Sequence, residues 1–142
     1  MITPMSPGIL KYYIRASEWN TKGLTYPKVK IDITYIDEPE RPAVCNISFI
    51  QHKEIPRELS SAWFIADGVQ LPLKDFQVLV VSLKQKTLRI TSNLPENNFK
   101  TLLNASVVSF FCVLDGVEYQ CEPPKWFYAA KNEIAEGLAY FQ

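Results

Sequence analysis

The stretch from 107 to 122 reads VVSFFCVLDGVEYQCE and decides the fold class. Two apolar runs flank Asp115-Gly116, and an Asp-Gly pair between such runs is typical of a two-residue hairpin turn, because both central positions need positive φ. The predicted pairs are Leu114 with Val117, Cys112 with Tyr119 and Phe110 with Cys121. The inward face of this hairpin is the predicted centre of the core.

A second Asp-Gly pair, Asp67-Gly68, predicts another tight hairpin between strands at 62–66 and 69–73. The implied pairs are Phe64 with Leu71 and Ala62 with Leu73. Pro72 has no N–H to donate to a neighbouring strand, so we expect its strand to lie at a sheet edge.

Further strands are predicted where apolar and polar residues alternate with a period of two, and these occupy 9–17, 28–36, 43–51, 76–84 and 87–92. The residues 18–27 are predicted to form a loop. Inward positions in the first three strands are Leu10, Tyr12, Ile14 and Ala16; Val29, Ile31, Ile33 and Tyr35; and Cys45, Ile47 and Phe49. If the inward residues of the second and third strands share one face, the residue numbers of two residues that lie opposite each other must sum to an even value. The pair Tyr35 with Cys45 is one example. In the last hairpin Leu79, Val81, Leu83, Leu88 and Ile90 are predicted to share a face.

Two helices complete the prediction. Pro95 is suited to a helix start, and the short helix after it has an apolar stripe of Phe99, Leu102 and Leu103. The segment 125–141 has a longer stripe, consisting of Phe127, Ala130, Ile134, Leu138 and Phe141. Lys131 is assigned to the polar side of this helix. Gly137 inside it costs about 1 kcal/mol relative to alanine, so we expect the last turns to fray.

The sequence therefore predicts a mainly β fold, an antiparallel sandwich or strongly curved sheet of about eight strands, with one short helix and a C-terminal amphipathic helix. The 142 residues fit one domain, 1–142, and we expect residues 1–8 to be a poorly ordered N-terminal segment. No apolar run approaches the ~20 residues of a membrane span. The chain as given begins without the basic and apolar regions of a signal peptide, which leaves two locations open: the cytoplasm, or export with the signal removed.

Charge and reactive residues argue against several classes of function. Lys and Arg number 15, as do Asp and Glu, so the formal net charge is zero and no nucleic-acid partner is expected. The three cysteines and one histidine have no CxxC spacing, so we expect no metal and no cofactor. Cys112 and Cys121 are predicted to be diagonal neighbours, which favours two buried thiols over a disulfide.

Aromatic residues are the remaining candidates for a site. Four aromatic residues are predicted to bind a ligand or partner: Trp19 in the predicted loop, Trp63 on the non-core face of a hairpin, Tyr13 opposite the core set of its strand, and Trp126 at the start of the last helix. The competing interpretation is that Trp63 and Trp126 pack under the last helix.

Three functional hypotheses follow. The leading one is a soluble, non-catalytic protein-binding module, whose partner is an unknown protein or a second copy paired through a sheet edge. The first alternative is a carbohydrate-binding module that uses the exposed aromatics. The second is an enzyme centred on His52, acting with Ser60, Ser61 or Cys45; since no catalytic motif surrounds His52, we expect a surface histidine and no enzymatic activity.

Overall fold

The computed structural model describes residues 2–6 and 9–141, and it confirms a mainly antiparallel β fold with a short and a C-terminal helix. Within these residues there are ten strands, two more than expected. In chain order the elements are β1 Ile2–Ser6, β2 Ile9–Thr21, β3 Lys28–Ile36, β4 Ala43–Ile50, β5 Leu59–Ala66, β6 Val69–Pro72, β7 Lys74–Ser82, β8 Thr87–Leu94, α1 Glu96–Asn104, β9 Val108–Leu114, β10 Val117–Glu122 and α2 Lys125–Phe141.

The strands form one curved sheet that nearly closes into a barrel. Its order is β6-β5-β9-β10-β2-β3-β4-β8-β7, with β1 added on β2. The long strand β2 pairs with β3 from Lys11 to Trp19, while its first residues, Ile9 to Tyr12, pair with β1, and Asn20 and Thr21 at its end pair with β10. The two ends of the sheet, β6 and β7, are joined through Leu73 alone.

Strand β2 differs from the prediction, which ended it at Ser17 and placed Trp19 in a loop. Pairing with β3 is irregular between Ile14 and Ser17, consistent with a β-bulge. Beyond this point the inward side chains are Trp19 and Thr21, whereas Ala16, predicted to face inward, is exposed. The extra residue in the bulge reverses which side chains face the core.

Both Asp-Gly hairpins are confirmed. Asp67 and Gly68 have φ of 48° and 84°, and Asp115 and Gly116 have φ of 50° and 79°. The observed pairs include Phe64 with Leu71, Leu114 with Val117, Cys112 with Tyr119 and Phe110 with Cys121. The edge position predicted from Pro72 is also confirmed. In the β3–β4 pair the residue numbers of opposite residues sum to an even value, as predicted. However, Ile33 rather than Tyr35 lies opposite Cys45.

Helix α1 begins after Pro95 and buries Phe99, Leu102 and Leu103, as predicted. The apolar stripe of α2 is likewise buried at Phe127, Ile134 and Leu138, and the side chain of Phe141 lies outside the described part of the chain.

Lys131 is a correction, because it is buried rather than on the polar side of α2. Its Nζ donates a hydrogen bond of 3.0 Å to the carbonyl of Leu103. The last carbonyls of a helix lack partners within the helix. Lys131 therefore satisfies the C-terminal turn of α1 and links the two helices.

Gly137 continues α2 and allows a close contact with β1 and β2. A Cβ at this position would lie 2.9 Å from Cδ1 of Ile2 and 3.3 Å from Cε1 of Tyr12. The strand β1 lies in the segment 1–8 that we expected to be poorly ordered. Met1, Pro7 and Gly8 of that segment lie outside the described residues.

Candidate functional site

Two of the predicted site residues, Tyr13 on β2 and Trp126 on α2, line the same cavity. It has a volume of about 430 Å³ and is also lined by Arg15, Ala129, Ala130 and Glu133. Cavities of about 300–1,000 Å³ are the usual size of small-molecule sites. The sequence identified both aromatic rings but gave no sign that the fold brings them together.

Arg15 and Glu133 give this cavity charges of both signs. The Cζ atom of Arg15 lies 4.9 Å from the centroid of the Trp126 ring, a cation–π contact. Because the guanidinium occupies part of the indole surface, a ligand that stacks on Trp126 must share the ring with Arg15.

Trp19 belongs to the core rather than to a binding surface. Only 1% of its surface is exposed, and its ring contacts Phe64, Phe110 and Phe127, the last at 4.8 Å between centroids. A ring enclosed in this way presents no face to a ligand, so the prediction that Trp19 binds a ligand or partner is wrong.

Trp63 lies on the other side of β5 from the buried Phe64, and it is half-buried. Its ring stacks on Phe111 of the neighbouring strand β9, with centroids 5.6 Å apart and planes 5° from parallel. The cavity of Tyr13 and Trp126 does not include Trp63 among its lining residues.

His52 is exposed, and its ring stacks on Tyr26 at 5.1 Å between centroids. Its three candidate partners are placed unfavourably for catalysis. The Ser60 hydroxyl donates to the carbonyl of Val113, the Ser61 side chain is half-buried on β5, and Cys45 is fully buried.

The three thiols are free and buried, as expected for Cys112 and Cys121. Burial raises the pKa of Cys45 and Cys112 above the ordinary thiol value, and it raises the pKa of Cys121 to about 11 despite the hydrogen bond with Thr21. The nucleophilic form of cysteine is the thiolate, so these residues are poor nucleophiles at neutral pH.

The largest group of exposed apolar side chains lies on β7 and the turn after it. We call this group the β7 patch, and its members are 49–77% exposed: Val78, Leu79, Val80, Val81 and Leu83. Single exposed apolar residues are common in proteins, but contiguous ones usually mark an interaction surface.

The β7 patch covers both faces of the strand. Val78 lies opposite Ile90 and Val81 opposite Leu88, so these two valines share the side of the sheet on which β8 is buried. They are nevertheless 60% and 56% exposed, so the interior packing does not cover β7 at these two positions. Val80 lies opposite Arg89 on the outer side.

The predicted face of this hairpin is therefore partly wrong. Leu79 was assigned to the inward set, but the pairing shifts between Val78 and Val80 and places Leu79 at a bulge. An extra residue there moves the inward positions from even to odd numbers along β7. Sequence reasoning missed the patch, although the run FQVLVVSL at 76–83 is apolar on both alternating sets and was the available signal.

The edge strands β6 and β7, at the two ends of the sheet order, differ in how they are protected from pairing with other chains. Strand β6 has four residues and carries Pro72, and short edge strands and edge prolines are devices that prevent pairing with other chains. Strand β7 has nine residues, and its only charged residues are Lys74 and Asp75 at its first end. From Gln77 to Leu83 the bulge is the only such device.

Comparison with known proteins gives no further guide, since no family model, no curated protein and no solved structure matches the chain. None of the helices that the structure describes is long and apolar enough to cross a membrane. Within residues 2–6 and 9–141, no three His, Cys, Asp or Glu side chains are grouped as a metal site requires.

Proposed function

We propose that this chain is a non-catalytic interaction module that binds another polypeptide through strand β7. The observation that carries the proposal is the β7 patch, a long edge strand with apolar side chains exposed on both faces. A polypeptide that adds a strand to such an edge gains main-chain hydrogen bonds and covers apolar side chains in one step. The contrast with the short, proline-bearing β6 supports β7 as the binding edge.

The reactive side chains also support a non-catalytic role. The histidine is exposed and stacked on Tyr26, and the three thiols are buried with raised pKa values. A nucleophile and a base within hydrogen-bond reach would favour the enzyme hypothesis, and the hydrogen bond from Ser60 to Val113 directs that hydroxyl elsewhere.

Site-specific photo-cross-linking tests the proposed surface. A photoreactive phenylalanine analogue is introduced at Leu79, or as a matched control at Val117, where exposure is the same at 50%. In the cells that make the protein, we expect the analogue at position 79 to give a discrete covalent adduct at several times the yield from position 117. Equal yields from the two positions, or no adduct from position 79, would show that β7 is not the binding edge.

Carbohydrate binding is a second candidate, favoured by the cavity in which Tyr13 and Trp126 meet. Aromatic rings in a cavity of this size are suited to stacking on a sugar ring, and Arg15 and Glu133 supply hydrogen-bonding groups at its walls. We expect Trp126→Ala to remove glycan binding in isothermal titration, at least tenfold in affinity, and Trp63→Ala to leave it unchanged. If no glycan binds the unmodified chain, or if both variants bind alike, this candidate is rejected.

A further inference from the structure

We infer that the cavity between Tyr13 and Trp126 binds a zwitterion, a small molecule that carries a carboxylate and an ammonium group on an apolar or ring-shaped body. Two opposite charges, Arg15 and Glu133, line this cavity without forming an ion pair with each other. The cavity is the one considered above for sugars, and its ligand is independent of the partner proposed for the β7 edge.

Neither charge is satisfied within the part of the chain that the structure describes. Both side chains are exposed, and the ion pairs found there join other residues. The Arg15 guanidinium donates no hydrogen bond to these residues, and the Glu133 carboxylate accepts none from them. A guanidinium has five N–H donors and a carboxylate has two acceptor oxygens. Both sets are therefore available to a ligand in the cavity.

The Trp126 ring holds the Arg15 guanidinium at the wall of the cavity. The cation–π contact, with Cζ of Arg15 at 4.9 Å from the ring centroid, limits the conformations of this long side chain. A guanidinium that is already held in place loses less entropy on binding, and its planar N–H groups match the two oxygens of a carboxylate. Arg15 is therefore suited to the negative end of a ligand.

The size of the cavity makes both charges act on the same ligand. Its volume of about 430 Å³ is that of a cube with an edge of about 7.5 Å. Salt screens charges over a length of ~8 Å at physiological ionic strength, so a ligand in the cavity lies within reach of both residues. A purely anionic ligand on Arg15 would be repelled by Glu133, and a purely cationic ligand on Glu133 would be repelled by Arg15. A ligand with both charges is attracted by both residues.

The remaining walls of the cavity fit an apolar or ring-shaped body. Ala129 and Ala130 have small side chains, which leave space beside the rings of Tyr13 and Trp126. Apolar groups and rings pack favourably against aromatic faces. Aromatic amino acids have this combination of body and charges, and so do sugars that carry both an amine and an acid.

A titration with three ligands of similar size tests whether both charges are needed. Phenylalanine carries both charges, phenylpropionate lacks the ammonium group and phenethylamine lacks the carboxylate. Binding to the full chain is followed by nuclear magnetic resonance through the indole N–H signal of Trp126, which is assigned by its loss in Trp126→Phe. We expect phenylalanine to bind at least tenfold more tightly than either of the others, about 1.4 kcal/mol.

Two variants assign each charge of the ligand to one residue. In Glu133→Gln, phenylpropionate should bind at least as tightly as phenylalanine, because the group that attracts the ammonium is neutral. In Arg15→Met, phenethylamine should bind at least as tightly as phenylalanine. The matched controls, Glu136→Gln on the same helix and Lys11→Met on the same strand, replace exposed residues outside the lining and should keep the tenfold preference.

A sugar with both charges distinguishes the two sources of such a ligand. Muramic acid carries an amine and a carboxylate, whereas its N-acetyl derivative has lost the charge of the amine. Tighter binding of muramic acid than of phenylalanine, with weak binding of the N-acetyl derivative, would assign a sugar. The reverse order would assign an amino acid, and both results support a zwitterion.

The place of binding is tested by filling the cavity. Ala129→Leu enlarges an exposed side chain of the lining and should weaken the binding of phenylalanine at least tenfold. Unchanged binding in this variant, equal binding of the three related ligands, or no shift of the Trp126 signal with phenylalanine or muramic acid would overturn the inference. A neutral sugar that binds where both zwitterions fail would leave carbohydrate binding as the function of this cavity, and the cross-link at position 79 tests the β7 edge separately.

Discussion

At the scale of single residues, the aspartates of the two Asp-Gly turns have a second role that the turn motif does not predict. The Asp67 carboxylate accepts hydrogen bonds from the backbone N–H groups of Ser106 and Val107, at 2.9–3.1 Å. Asp115 does the same for Arg57 and Glu58. Each turn thus fixes a distant loop, because backbone donors that would otherwise lack partners are satisfied by a charged acceptor.

The first residue-scale prediction concerns Asp67 and pH. Hydrogen bonds from Ser106 first, and then Val107, hold the pKa of the Asp67 carboxyl below its ordinary value of 3.8. Since the folded-state pKa is lower than the unfolded one, the carboxylate stabilises the fold fully above the unfolded value, and this contribution is lost as pH falls through the folded pKa. Asp67→Asn should therefore lower the urea midpoint at neutral pH, with the difference from the unmodified chain shrinking in acid.

Asp75→Asn is the matched control for this experiment. Asp75 also has positive φ, at 58°, but its carboxylate accepts from the side chain of Asn93 rather than from backbone N–H groups. Asp75→Asn should therefore lower the urea midpoint at neutral pH by clearly less than Asp67→Asn does. Equal losses in the two variants, or an Asp67→Asn difference that persists unchanged in strong acid, would contradict the proposed role.

At the scale of elements, local signals predicted the fold well. The Asp-Gly turns gave the pairs of both hairpins because their positive φ requirement is encoded in two adjacent residues. The apolar stripe of α1 and the buried positions Phe127, Ile134 and Leu138 of α2 were also predicted correctly. Lys131 could not be predicted as buried, since its reason is a carbonyl of Leu103 in another helix.

The errors came from bulges and from long-range placement. The bulges in β2 and β7 contain no glycine to mark them. In β2 the predicted strand ended at Ser17 and left Trp19 in a loop, and in β7 a period of two was extended through the bulge and misplaced Leu79. The candidate sites also depend on how distant elements are placed, which local sequence patterns do not encode. Tyr13 and Trp126 meet only because α2 packs beside β2, and β7 is uncovered only because the sheet stops short of closing.

At the scale of the whole molecule, β2 and Trp19 join the two parts of the barrel. One part of the sheet starts from the edge of β2 that pairs with β3 and consists of β3, β4, β8 and β7. The other part starts from Asn20 and Thr21 at the end of β2 and consists of β10, β9, β5 and β6. The Trp19 ring contacts side chains of β5, β9 and α2, so the indole reports on the junction. Neither part has a separate core, since the buried side chains form a single cluster.

This arrangement predicts that the chain unfolds as one unit. In the variant Trp63→Phe with Trp126→Phe, Trp19 is the sole indole, and its fluorescence should change at the same urea concentration as the far-ultraviolet circular dichroism of the sheet. The two curves should superimpose because loss of the junction exposes the cluster that both parts share. The doubly substituted chain must first match the unmodified one in its circular dichroism spectrum. A Trp19 transition that clearly precedes the loss of strand signal would show that the parts of the barrel fold separately, and the single domain predicted for residues 1–142 would then be wrong.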